Sequence, residues 1–476
     1  MITIPISYYD KGYKFQDLTC VDHPLAAACG AYKYMNYFWY SGLFVLQSTF
    51  AYDSDWYRSH SNLLTVLGLR LERISILEMN DDELWKYISQ KISNMLPLLF
   101  VVDEEFAFYI AQEDDGVEKP YHGVILSGVD ERNECILIND CRLQADLHSR
   151  YMEGQAFSKF ILKKNDILDL IRKSADKWKS VNRDEYQYLF SIEKSQRSKV
   201  NSWITFFQYW LKAMDPHSDI LLSEIKNYCS RMQLYADYDY VYNMRSIAHG
   251  ITGTIFNVML LAMEDYQISS IAIDELLAFK EKYISARTKA MSLIQKYAMN
   301  HQKINYVKLQ DLYKEIDKNN VCLFAYAAKI LEEIQSYGFN LSETSIVTAD
   351  SEQVLPNGIV REAKAVINGS WQNWIVDSWQ SVSNGQEHWI QLDFGKKKRI
   401  NRITIRQLEI NLASHFIILI SDDGEHWKRI CEEMSNTQEI TCYEIEFICR
   451  YVRYVVPTNE KSESAALWEL DVFGKE

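Results

Sequence analysis

At Gly338 the pattern of this chain changes, and a single fold cannot accommodate both sides of the change. Before it, Leu276, Phe279, Tyr283, Ala286, Ala290, Leu293 and Tyr297 recur every three or four residues, which keeps their side chains on one stripe of a long helix. Ile273-Asp274-Glu275 places acid at the start of that helix, as its dipole favours. Residues from about 155 to 337 read as helix throughout. After Gly338, Trp389–Phe394 and Arg402–Arg406 alternate with period two, Phe416–Ile420 is an apolar run closed by the turn Ser421-Asp422-Asp423-Gly424, and six of the twelve tryptophans crowd in. Many short strands with frequent turns and no helical stretch point to a sandwich. The 476 residues are about three times the ~150 of an average domain, which agrees with a multidomain chain.

The first 150 residues differ from both. Cys20 to Tyr40 is apolar and alanine-rich and reads as a buried helix. Leu98–Val102, Phe106–Ile110, His122–Gly128 and Cys135–Asp140 read as four strands, the last two joined by the polar turn Asp130-Glu131-Arg132-Asn133. A helix followed by an antiparallel meander is an α+β arrangement. The expected domains are therefore 1–152, α+β; 153–338, all-α; and 339–476, an all-β jelly-roll sandwich.

A net charge of −14, with no large Lys/Arg cluster, argues against a nucleic-acid partner and against an anionic membrane surface. The run Lys396-Lys397-Lys398-Arg399 reads as a hairpin turn between strands. Nine cysteines without a CxxC pair do not suggest a zinc ribbon. The N-terminus lacks the basic and apolar regions of a signal peptide, and the longest apolar stretch, Ile255–Met263, is far short of the ~20 residues that span a bilayer. A cytoplasmic protein is expected. The many tyrosines and the long helical region are compatible with a homodimer.

Three residues of the first domain stand in an order that nucleophilic chemistry uses. Cys20 opens the first long helix, where unpaired amides and the helix dipole favour a thiolate. His122 opens one strand and Asp140 closes the next, so antiparallel pairing brings imidazole and carboxylate side by side. A thiol faced by a base that a carboxylate orients is the logic of a cysteine triad. Cys29-Gly30 is a competing pair, but Cys29 falls inside the helix rather than at its start.

The stretch Thr19–Tyr52 resembles the start of the papain-like domain family named for butirosin biosynthesis protein H. Leu96–Asp140 resembles the same family, with Val101-Val102-Asp103, Tyr109, His122, Gly128, Asp130 and Asp140 in the matching places. The resemblance covers about the first 150 residues. It implies a papain-like fold, with Cys20 as nucleophile, His122 as base and Asp140 as orienting carboxylate. It also implies acyl transfer from a carrier-protein thioester to an amine, in peptide, polyketide or aminoglycoside-type metabolism.

The C-terminal stretches Val347–Trp379, His388–Ile405, Phe416–Ile430 and Arg450–Gly474 resemble the discoidin, or coagulation-factor type C, sandwich, which is galactose-binding-like. That resemblance implies sugar or lipid binding by loops at one end. Many such domains hold calcium at an Asp-Gly. Here Asn368-Gly369 stands in that place and offers an amide oxygen with less charge. Trp389 and Trp468 fall on strand patterns and are expected in the core. Trp371, Trp374 and Trp379 lie in a loop-like stretch and are the candidate ligand-binding rings. The functional expectation is a cysteine-dependent acyl or amide transferase, without a cofactor, whose partners are an acyl carrier protein or its thioester and a small amine or sugar acceptor. The alternatives are a non-catalytic binding or scaffold protein and a cysteine hydrolase.

Overall fold

Six short apolar runs in the first two hundred residues, with a two-residue strand at the N-terminus, hydrogen-bond into one antiparallel sheet, which two of them reach from beyond residue 152. The structure is a computed structural model. It describes all residues except 5, 7–17, 19–21, 34, 54, 110–120, 141–157, 182–185, 196–197, 201, 231–251, 269, 301–305, 357, 370–376, 458–462 and 476. The chain divides into two compact units, residues 1–331 and 332–476.

The first unit contains β1 (Ile2–Thr3), β2 (Leu69–Ser75), β3 (Leu98–Asp103), β4 (Tyr121–Asp130), β5 (Cys135–Asp140), β6 (Ser158–Lys163) and β7 (Tyr188–Lys194). Their order is β2-β7-β3-β4-β5-β6, with β1 on β4. Every residue of β3 is buried, as a strand covered on both faces must be. β6 is an edge strand whose outward residues include Lys159 and Lys163, charges that discourage further pairing.

The helices α1 (Asp22–Gly30), α2 (Met35–Phe50), α3 (Trp56–Val66), α4 (Asp81–Ser93) and α5 (Lys164–Ser180) belong to the same unit. α5 locks onto β3 through two bonds: the Trp178 indole donates to the Val101 carbonyl at 2.9 Å, and the Asp103 amide to Ser174 Oγ at 3.2 Å. α4 starts at a capping box, with Asn80 and Glu83 exchanging side chain-to-backbone bonds.

Among the described residues five more helices follow: α6 (Trp203–Ala213), α7 (Ile220–Ser230), α8 (Thr252–Asp265), α9 (Ile273–Asn300) and α10 (Tyr306–Ser336). The stripe on α9 is core as its spacing requires, with Leu276, Tyr283, Ala286 and Ala290 fully buried. Phe279 packs on Phe256, Tyr283 and Tyr326. Leu221, Leu222 and Ile225 of α7 close one core with Ala286, Ala290 and Ile294 of α9 and Leu309, Leu312 and Ile316 of α10. A buried ion pair crosses it: the Arg287 guanidinium reaches both oxygens of Asp219, which also accepts from Asn320 Nδ2 at 2.8 Å and from the Leu221 amide at 2.8 Å. Gly42 lets α2 approach α6 and α8, since a β-carbon there would stand 2.8 Å from the Phe206 ring and 3.2 Å from Val258.

Three readings of this region are corrected. Residues 155–337 are not helix throughout, because β6 and β7 interrupt them. β6 pairs with β5, the strand just before it, and β7 pairs with β2 and β3, which lie far earlier in the sequence. Phe106–Tyr109 is not a strand, and Ile110 lies outside the described residues. Asp103 Oδ1 accepts from the Glu105 amide at 2.9 Å, turning the chain into a short 3-10 helix, Glu104–Phe106. The stretch read as one helix from Cys20 to Tyr40 is broken after Gly30 into α1 and α2.

The second unit is an all-β sandwich built from β8 (Phe339–Asn340), β9 (Ile346–Ala349), β10 (Gln353–Val354), β11 (Val360–Arg361), β12 (Trp379–Gln380), β13 (His388–Gln407), β14 (Phe416–Ser421), β15 (Lys428–Glu433), β16 (Ile440–Val456) and β17 (Ala466–Lys475). The long strands β13 and β16 pair along two stretches. The first carries β9 and β14 on its edges, and the second carries β17. Between the stretches the register shifts from Asp393 to Lys398, so one strand serves both layers. Lys396–Arg399, read from the sequence as a hairpin turn, is instead part of this bulged strand; Gly395, at φ +73°, makes the bend. Gly338, at φ +87°, is obligatory, because a β-carbon there would meet the Gly474 carbonyl oxygen at 2.2 Å.

The tryptophan expectations reverse. Trp379 is fully buried in the core with Ile390, Leu392, Ile418, Val452 and Leu467, whereas Trp389 and Trp468 are half-buried. On β13 it is Ile390 and Leu392 that face inward, and the period-two alternation turns Trp389 outward.

Candidate functional site

Strand register builds the clearest site in the first unit. The β4–β5 hairpin turns where Asp130 accepts from the Asn133 amide and side chain, and Glu134 takes a positive φ of 47°. Its pairing puts Val124 opposite Asp140, with His122 two residues further along β4. His122 Nε2 then lies 2.5 Å from Asp140 Oδ1. The histidine is 3% exposed and the aspartate fully buried. The second carboxylate oxygen is engaged as well, since the Tyr109 hydroxyl donates to Asp140 Oδ2 at 3.1 Å. Tyr109 is held by ring contact with Phe160 of β6, 4.8 Å away. One carboxylate thus fixes the imidazole on one side and is fixed by a phenol on the other. Such an arrangement sets ring orientation and favours an imidazolium when one forms.

The first turn of α1 stands against this pair. His23 is buried, and its pKa falls to about 4, chiefly through burial and then through the charge of His122. Its Nε2 meets the Tyr37 hydroxyl of α2 at 3.1 Å. Asp22, the first residue of α1, is buried beside it. Cys20 lies two residues before Asp22 in sequence and outside the described residues, as does the tyrosine-rich segment 235–242. The competing cysteine, Cys29, is fully buried in α1, and burial pushes its thiol well above the usual range, which opposes a thiolate.

A small apolar hollow adjoins the site, lined by Leu25 of α1, Trp56 of α3, Phe100 and Val101 of β3, Gly123 of β4 and Phe190 of β7. Among the described residues no helix is long and apolar enough to cross a membrane.

The candidate rings of the sandwich divide. Trp371 and Trp374 lie outside the described residues. Trp379 is not a ligand-binding ring: it is sealed in the core, β12 pairs it with Leu467, and its indole donates to the Ser351 carbonyl at 2.9 Å. The half-buried rings are others. Arg453 lies between Trp389 and Trp427, 4.2 and 3.7 Å from their centres, and donates to Gln391 Oε1 at 2.7 Å. The period-two alternation that exposes Trp389 could have flagged that ring. Nothing in the spacing marks Trp427 as its neighbour across Arg453.

Known proteins resemble the second unit. The family model of the F5/8 type C domain matches residues 347–470, so the C-terminal sandwich is a domain of that type. Chitosan-binding module 1 of a chitosanase/glucanase from Paenibacillus sp. IK-5 is 23% identical, over 29% of this chain and 99% of the module, with a TM-score of 0.25. The module CpGH89CBM32-5 from Clostridium perfringens, solved with GalNAc-β-1,3-galactose, is 20% identical over 29% of this chain and 100% of its own, with a TM-score of 0.25. The family 32 module of C. perfringens NanJ, solved with galactose, is 14% identical over 28% and 97%, with a TM-score of 0.24. No curated protein matches the chain.

Proposed function

We propose that the chain is a cysteine-dependent acyl or amide transferase that carries its own binding module. The observation that supports this is the buried His122–Asp140 pair beside the first turn of α1, with Tyr109 on the second carboxylate oxygen. In this reading Cys20 is the nucleophile. The resemblance of residues 19–52 and 96–140 to the butirosin H family favours it, and the burial of Cys29 inside α1 removes its competitor.

His122 takes the thiol proton of Cys20, and the thiolate attacks the carbonyl carbon of a carrier-protein thioester. The carrier thiolate leaves and is protonated by the imidazolium, so one thioester replaces another at little thermodynamic cost. An amine then attacks the acyl-cysteine, His122 accepts its proton, the C–S bond breaks and the amide departs. Asp140 holds Nε2 throughout, leaving Nδ1 to exchange the proton. Water in place of the amine makes the same site a hydrolase. The papain-like assignment of the N-terminal domain and the specialised-metabolism setting are part of this proposal.

The test is acyl-enzyme formation with acyl-N-acetylcysteamine thioesters, read by intact mass and peptide mapping. An acyl adduct on Cys20 that an added amine discharges supports the proposal. No adduct, or one equally abundant on other cysteines, defeats it.

A second reading rests on the F5/8 type C domain: the chain is a binding or scaffold protein and the sandwich carries the role. Titrating the full chain with galactose, N-acetylgalactosamine and chitotriose, followed by tryptophan fluorescence, tests the ligand class. Saturable binding together with an inert Cys20 would favour this reading.

A further inference from the structure

A second imidazole–carboxylate contact lies next to the first, and three helices meet at it. His60 of α3 is buried, with Nδ1 2.8 Å from the Tyr40 hydroxyl of α2 and Nε2 3.2 Å from Asp22 Oδ1 of α1. A carboxylate only accepts, so the proton sits on Nε2, and Tyr40 donates to Nδ1. The Nε2 contact is a close polar approach, bent away from a straight hydrogen bond. Around the imidazole stand Trp56, 4.4 Å away, and Phe44, stacked at 5.6 Å. Burial drops the His60 pKa to about 3, which favours the neutral ring.

Two of the buried histidines, His23 and His60, are braced from one helix face. Tyr37 and Tyr40 are three residues apart on α2 and so share a side of it. Tyr37 meets His23, and Tyr40 meets His60, which in turn faces Asp22. Asp22 and His23 are consecutive at the start of α1, and His23 is the residue whose charge balance His122 alters. Burying a phenol, an imidazole and a carboxylate together is costly where leucine or phenylalanine would pack, so their presence calls for a role that packing does not supply.

We propose that His60 is a positioning residue for the His122–Asp140 pair. Held by Tyr40, it fixes Asp22 and with it the first turn of α1, which keeps His23 against His122 and keeps water from the paired imidazole. This rests on the reading of His122 and Asp140 as the base and its orienting acid.

The experiment uses the full chain, 15N-labelled at histidine, and records the low-field proton of the His122–Asp140 hydrogen bond, assigned by its loss in His122→Ala. In His60→Leu this resonance broadens or disappears, and alkylation of Cys20 by iodoacetamide at pH 7 slows about tenfold, less than the ~100-fold that a full 1 Å misplacement of a reacting group costs. His60→Asn, which can present a donor and an acceptor in the same place, restores both. If His60→Leu does not fold, Tyr40→Phe removes only the hydroxyl and produces the same changes in weaker form. A folded His60→Leu or Tyr40→Phe protein with the resonance and the rate unchanged overturns the proposal. A wild-type Cys20 of ordinary reactivity defeats the transferase reading, and the resonance still decides whether His60 positions His122.

Discussion

Both units carry surface histidines, His217 beside Asp317 in the first, but only the first gathers buried ones at one point. Around the start of α1 three of them, His23, His60 and His122, are buried within one neighbourhood, each beside a phenol or a carboxylate. In the sandwich, His415 and His426 sit at the surface beside Glu432 and Asp423, and the single buried one, His388, anchors Asp350, which also accepts from the Trp389 amide and from Ser351. His388 and Asp350 together pin the start of β13. The contrast near α1 lies in number and convergence. Several titratable groups gather where the chain enters a helix behind a candidate nucleophile, and a structural pin needs only one.

The largest expected effect separates the two kinds of contact. His122→Ala should slow acyl transfer by about 10²–10⁴-fold, the usual worth of a positioned base, in a protein that still folds. His388→Ala should leave the transfer rate unchanged while lowering the urea midpoint. If both variants lose activity in proportion to stability, the comparison fails.

Next come core and buried-charge variants. Trp379→Ala should cost about 3–5 kcal/mol in urea denaturation, as large-to-small aromatic changes in a core do. Trp389→Ala, on the half-exposed ring, should cost much less. Arg287→Met leaves Asp219 buried without its guanidinium and should cost about 3–5 kcal/mol, with no effect on Cys20 alkylation in the folded protein.

A pH effect follows from His23 and His60. Their folded pKa values, about 4 and about 3, lie below the ordinary 6.5. The unfolded chain therefore binds more protons as the pH falls below 6.5. The stability these buried neutral rings contribute is complete above 6.5 and is lost progressively toward pH 4 and then 3, by about 1.4 kcal/mol per pH unit for each proton. The urea midpoint should fall over this window, and His60→Asn should flatten the slope. The smallest effect is at the surface: Asp423→Asn should not move the thermal midpoint measurably, because the His426 ring is exposed and an asparagine Oδ1 still accepts from the Glu425 and His426 amides.

The His122–Asp140 pair was legible in the sequence because two strands joined by a tight polar turn have only a few registers, and each of them puts the strand's start near its partner's end. Tyr109 was visible as a position but not as a partner, since the segment around it forms a 3-10 turn and no strand. His60 carried no signal at all. It lies 38 residues beyond Asp22 on a helix whose approach to α1 is a tertiary event, and spacing reports only neighbours along an element. The same limit hid β7, whose partners β2 and β3 are distant in sequence. In the sandwich, alternation correctly marked the strands but not which face was inside, so Trp379 and Trp389 exchanged roles.

The most direct measurement is alkylation of the intact protein by limiting iodoacetamide from pH 5 to 9, mapped residue by residue by mass spectrometry. The account predicts fast modification of Cys20 that persists well below pH 8 and slows in His122→Ala, with Cys29 protected in both. Cys20 reacting no faster than the other accessible cysteines, or reacting equally with and without His122, would contradict it.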